Sequence, residues 1–143
     1  MTGLLPAPGL TGLLLGTTPP GTYRLPPTDT APRVTALAAE AEWRAAALRL
    51  GGVTTKTAFL DRCATDLEFP EWFGRNWDAL ADCLTDLSWW REEGKARGYL
   101  LVTEDWAAFR KAAPKEARTA EAIFGDAVDY WADAEAPLAV LLG

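Results

Sequence analysis

Phe69-Pro70-Glu71-Trp72-Phe73-Gly74-Arg75-Asn76-Trp77-Asp78-Ala79-Leu80-Ala81-Asp82-Cys83-Leu84-Thr85 joins a Pro/Gly-punctuated aromatic loop to a helix with two unlike faces. With Asn76 to Leu87 placed on a helix at roughly 100° per residue, Trp77, Leu80, Cys83, Leu84 and Leu87 share one arc of about 120°. That i, i+3, i+4, i+7 stripe reads as core. Asp78, Asp82 and Asp86 lie nearly opposite, flanked by Ala79 and Ala81. Like charges at i, i+4 cost a helix a few tenths of a kcal/mol per pair, and Asp is a mediocre helix former. A line of this kind is either a solvated surface or a site whose use outweighs its local cost. The aromatic loop beside it favours a site. Core packing beneath the helix is the competing role for both loop aromatics, and it suits Phe73 better than Trp72.

Outward from this stretch the pattern alternates between strands and helices. On the N-terminal side, Thr54 or Thr55 caps a helix whose stripe is Phe59, Leu60, Cys63, Ala64 and Leu67, and Pro70 is expected to stop it. Before it, Trp43 to Leu50 reads as a buried strand ending at Gly51-Gly52. A helix from Pro32 carries Val34, Leu37, Ala38 and Ala41 on one face, with Thr30 as cap. Thr22 to Leu25 is at best a short edge strand. Residues 1–20, rich in Gly, Pro, Leu and Thr, read as a loop or docked arm. On the C-terminal side, Trp89 to Lys95 looks like an exposed connection and Gly98 to Thr103 is the clearest strand. A short helix over Asp105 to Ala113 turns Trp106 and Phe109 inward. A long helix from Pro114 to Asp133 buries Ala117, Ala120, Ile123, Phe124, Ala127, Val128 and Trp131. Pro137 to Leu142 closes the chain as an apolar strand. Strands apolar on both faces and separated by helices imply an α/β fold: one domain, with a small parallel sheet packed with helices.

Composition narrows the function. The 143 residues are 49 % apolar and 24 % charged, as in a globular domain, and carry a net charge of −6. A negative balance argues against nucleic acid or an anionic membrane as direct partner. Six acids, from Asp66 to Asp86, face Arg75 alone within one segment, which therefore holds five of the six net negative charges. No histidine is present, which removes the commonest general acid–base and metal ligand. Cys63 and Cys83 both fall on apolar helix sides and read as buried free thiols, a disulfide between them being the alternative. Pro and Gly interrupt the apolar N-terminal runs and no Lys or Arg precedes them, so no signal peptide is read and a cytoplasmic location is expected.

Three chemistries make use of an acidic stripe. Asp78 and Asp82, with Glu71 nearby, would need a carboxyl raised by burial to act as an acid–base pair, yet the stripe faces away from the core. No phosphate cradle or activated nucleophile accompanies it, so no enzyme and no cofactor is expected. A calcium loop needs ligands at alternating positions with Gly and a distal Glu, and that spacing does not occur; no metal is expected either. The third chemistry is a binding face for a basic protein. Carboxylates at helical spacing can stand where phosphodiesters lie and accept bidentate hydrogen bonds from arginine.

Pro70 to Thr85 also resembles the signature of the barstar family, intracellular inhibitors of barnase-type secreted ribonucleases. The pattern Pro-Glu-aromatic-aromatic-Gly-x-Asn-x-Asp-Ala-Leu-x-Asp-Cys-Leu-Thr runs without a gap, and weaker similarity extends from about Ala45 to Leu142. The resemblance implies a barstar-like core (43–143). Residues 1–40 lie outside it; with an irregular arm (1–20) and an extension offering an edge strand and a helix (21–42), the chain reads as one barstar-like domain over 1–143. The resemblance also implies that Asp82 is the central inhibitory aspartate and Asp78 its partner one turn earlier. Trp72 then stands for a tyrosine of the contact loop, while Gly74 and Asn76 set the helix start. Ala81 replaces a tryptophan of the family's contact helix, and Asp86 extends the acidic face. A glutamate of the family's later helix falls near Asp129 or Tyr130. The implied partner is a basic secreted ribonuclease or nuclease toxin domain bound 1:1, with this chain as its immunity protein. A non-enzymatic regulator or scaffold of the same fold, bound to another basic protein, is the alternative.

Overall fold

The computed structural model describes residues 3–86 and 96–143. Leu87 and the expected connection from Trp89 to Lys95 lie outside the described residues. The element order is α1 (Leu10–Leu15), β1 (Thr22–Arg24), α2 (Ala31–Glu40), β2 (Arg44–Arg49), α3 (Lys56–Asp66), α4 (Trp77–Asp86), β3 (Tyr99–Glu104), α5 (Trp106–Ala112), α6 (Pro114–Trp131) and β4 (Leu138–Leu142). The strands form one parallel sheet in the order β1-β4-β3-β2. This is the mixed α/β architecture expected from the alternation of apolar strands and amphipathic helices.

The two-residue period of the strands divides the core into two layers. Leu48, Leu101, Leu138, Val140 and Leu142 face α3 to α6, where they meet Phe59, Leu80, Phe109 and Phe124. Leu100, Val102, Ala139 and Leu141 face the other way, against Leu10, Leu13 and Leu14 around α1 and Val34 and Ala38 of α2. β3, apolar from Tyr99 to Val102, and β4, apolar throughout, are the two central strands, as a sheet covered on both faces requires.

Local signals account for most boundaries. The Thr30 hydroxyl accepts from the Arg33 N–H at 3.3 Å and the Thr55 hydroxyl from the Ala58 N–H at 3.1 Å, so both are N-caps. Three features differ from expectation. β2 is only half-buried because it occupies a sheet edge. α3 ends at Leu67, before Pro70, where Glu68 reverses the chain at φ 53°. The Gly/Pro-rich arm contains α1, and its leucines seat it on the sheet. The Leu5 N–H donates to the Arg24 carbonyl at 3.0 Å, and the Trp43 indole donates to the Leu14 carbonyl at 3.2 Å. Gly98 is required beside that indole, since a Cβ there would sit 2.6 Å from the Trp43 ring. Among the described residues no helix is long and apolar enough to cross a membrane.

Candidate functional site

α4 is packed along one side and open along the other. Leu80, Cys83 and Leu84 are buried, whereas Asp78, Asp82 and Asp86 are exposed on successive turns about 6 Å apart along the axis. Trp77 lies half-buried at the first turn, tilted against Phe59 at 5.8 Å, with the Lys56 ammonium 5.6 Å from its ring centre. At the other end the Trp131 indole donates to the Leu84 carbonyl at 2.9 Å. That bond satisfies one of the carbonyls a helix leaves unpaired in its last turn. Tertiary packing at both ends therefore holds a helix whose own sequence is unfavourable. Asp78, in the first turn, gains from the positive end of the helix dipole, but Asp86 sits at the negative end.

The preceding loop is built to start this helix. The Asn76 carboxamide oxygen accepts from the Ala79 N–H at 2.8 Å, which makes Asn76 the N-cap, and its nitrogen donates to the Gly74 carbonyl at 3.4 Å. A side chain on Gly74 would place its Cβ 3.1 Å from that nitrogen, tighter than ordinary contact, and would press on the capping carboxamide. The left-handed conformation of the turn belongs to Arg75, at φ 52°. Arg75 Nε also donates to Asp61 Oδ1 at 2.9 Å, tying the loop to α3. Phe73 is 4 % exposed and meets Phe69 edge-on at 4.8 Å, whereas Trp72 is 59 % exposed. One loop residue thus anchors in the core while its neighbour stands in solvent.

The structure corrects the charge count of this segment. The Asp66 carboxylate, 2 % exposed, accepts from the Arg49 backbone N–H at 2.8 Å and from its guanidinium at 3.0 Å. Asp66 therefore fastens α3 to β2 and takes no part in the acidic face. The hydrogen bond and charge of Asp66 also hold the Arg49 guanidinium more firmly protonated. Arg75, the one basic residue between Asp66 and Asp86, is engaged by Asp61 of α3.

Trp72, Gly74, Asn76, Asp78, Asp82 and Asp86 are all exposed along one loop–helix unit, with Ala81 half-buried between the last two turns. Tyr130, 65 % exposed at the end of α6, stands edge-on to Trp131, the residue that clamps α4. The clamp itself escaped sequence reading, because Trp131 carries the same apolar periodicity as its core neighbours and nothing local marks its N–H partner. Cys63 and Cys83 are buried free thiols, not a disulfide. Burial, then the charges of Asp82 and Asp86, push the Cys83 thiol up to about 11. Asp78, Asp82 and Asp86 point outward from successive turns, and among the described residues no three His, Cys, Asp or Glu side chains are grouped to hold a metal ion. The arrangement is a rigid row of hydrogen-bond acceptors beside an exposed indole.

A family model described as "Barstar (barnase inhibitor)" matches residues 43–143. Comparison with the curated proteins gives no match.

Proposed function

The chain belongs to the barstar family, and from that premise we propose that it is a stoichiometric inhibitor of a basic barnase-type ribonuclease, with α4 and the Trp72 loop as the blocking surface. The observation that carries this reading is the exposed Asp78/Asp82 row on a helix fixed at both ends to the core. Its carboxylates accept bidentate hydrogen bonds from the arginines, and single charge-assisted ones from the lysines, that otherwise hold substrate phosphates. Trp72 supplies an aromatic anchor at the helix start, a role in which tryptophan is enriched at interfaces. With Ala81 where the family has tryptophan, the apolar part of the interface is small and the charged row carries more of the specificity. The chain acts as an immunity partner in the cytoplasm of a cell that makes the nuclease, and binds it 1:1.

The test is a pull-down from concentrated culture medium of the source organism, with wild-type and Asp78→Ala/Asp82→Ala proteins as baits. The expected result is a small basic ribonuclease on the wild-type bait only, inactive until the complex is dissociated. Recovery of one and the same non-nuclease partner by both baits would sink the inhibitor reading.

A further inference from the structure

A cleft lies at the carboxyl ends of β1 and β4. Arg24 ends β1 beside Leu142 of β4, its register partner. Beyond these ends β1 continues into α2 on one face of the sheet, and β3 into α5 on the other. In open parallel sheets ligands bind in the crevice outside the carboxyl ends of the strands. Here the crevice is a cleft of about 590 Å³, within the roughly 300–1,000 Å³ usual for small-molecule sites.

Its lining is unexpected in an acidic chain. Arg24 from β1, Arg110 from α5 and Arg118 from α6 border it, against Glu121 alone. Among the described residues none of the three arginines forms an ion pair. All three arginines are exposed, and a cavity bordered by an excess of positive charge favours a bound anion. Trp106, Ala117 and Leu142 give the cleft an apolar floor. The Trp106 indole N–H is buried without an acceptor among the described residues. The walls are fixed, since the Trp106 backbone N–H donates to the Gly143 carbonyl at 2.8 Å and the Leu25 N–H to the Leu142 carbonyl at 2.9 Å. α6 borders the cleft with a first turn that has no side-chain cap.

We propose that this cleft binds a small organic anion through a diphosphate or an equivalent pair of anionic groups. The guanidinium fork matches phosphate oxygens in pairs, three of them call for two or more negative charges, and the apolar floor receives the uncharged part. No residue of the acidic face lines the cleft, so both surfaces can be occupied at once. Arg24 lies outside residues 43–143, so the N-terminal extension supplies one wall of a site that the family-matched segment does not form alone.

Titration calorimetry on the full chain tests this with two probes, ADP and inorganic pyrophosphate. The expected result is binding of at least one probe, weakened about tenfold or more in Arg110→Gln/Arg118→Gln, as loss of charge-assisted hydrogen bonds implies. Arg24→Gln, on a different element, is expected to weaken binding as well, and neither change should alter the melting temperature of the unliganded protein. In parallel, the Trp106 indole resonance, assigned by its loss in Trp106→Phe, should shift as the probe is added. Tighter binding of ADP would assign the apolar floor to the nucleoside; equal binding would assign the site to the diphosphate alone. No binding of either probe at about 1 mM, a level that corresponds to roughly 4 kcal/mol of affinity, would overturn the proposal. So would equal affinity in wild type and both sets of variants.

Discussion

Asn76 does two jobs with one carboxamide, capping α4 through its oxygen and bracing the Gly74 turn through its nitrogen. Asn76→Ala is expected to cost about 1 kcal/mol, the usual price of a lost N-cap. Urea unfolding checks this, with an unchanged midpoint counting against the cap. The two thiols give a second test at this scale. Cys83 is raised from 9.0 to about 11 and Cys63 is raised in the same sense, both first of all by burial. The unfolded chain therefore releases these protons near pH 9 while the folded chain keeps them. Stability from the neutral buried thiols is complete below that pH and is lost as pH rises toward about 11. Melting temperatures from about pH 8 to about pH 10.5 should fall more steeply for wild type than for Cys63→Ala/Cys83→Ala. Parallel slopes would show that the thiols titrate alike in both states.

At the scale of elements, residues 1–42 are the part whose role sequence reading left open. Leucines set among Gly and Pro show no sustained period, because α1 is only six residues long and its partners are sheet residues far along the chain. α2, by contrast, was legible from its cap and its Val34/Ala38 face, as were α3, β3 and α6. β2 was placed correctly but its burial was overestimated, since strand order, which decides what lies at an edge, is not written in local pattern. For the candidate site, core packing suits Phe73 better than Trp72 on sequence grounds, and their burial agrees. The capture of Asp66 by Arg49 was not legible, because it joins elements through a tertiary contact. Removal of residues 1–42 uncovers Leu100, Val102, Ala139 and Leu141 together. Each large side chain is worth about 1.5–3 kcal/mol when buried, so the loss approaches the roughly 5–15 kcal/mol that holds a typical domain. The 43–143 fragment is expected to unfold or aggregate. A fragment that matched the full chain in urea midpoint would contradict the two-layer core.

The whole molecule is acidic, with a net charge of −6, and the proposed contact face is acidic within it. Attraction of that field for a basic ribonuclease speeds encounter, and salt screens it over a Debye length of about 10 Å at 0.1 M. Raising salt is therefore expected to slow association far more than it speeds dissociation; equal effects on the two rates would argue against steering. Once bound, Asp82 is expected to dominate, because its truncation leaves basic groups of the partner buried and unpaired. Such a loss costs about 2–5 kcal/mol or more, a range drawn in part from the barnase–barstar complex itself. The most direct measurement is a titration of the target ribonuclease, at fixed concentration, with wild-type and Asp82→Ala proteins whose melting temperatures have been compared. The account predicts that wild type abolishes activity at one equivalent, and that Asp82→Ala inhibits only at far higher concentration with its melting temperature nearly unchanged. Equal inhibition by the two proteins would contradict it.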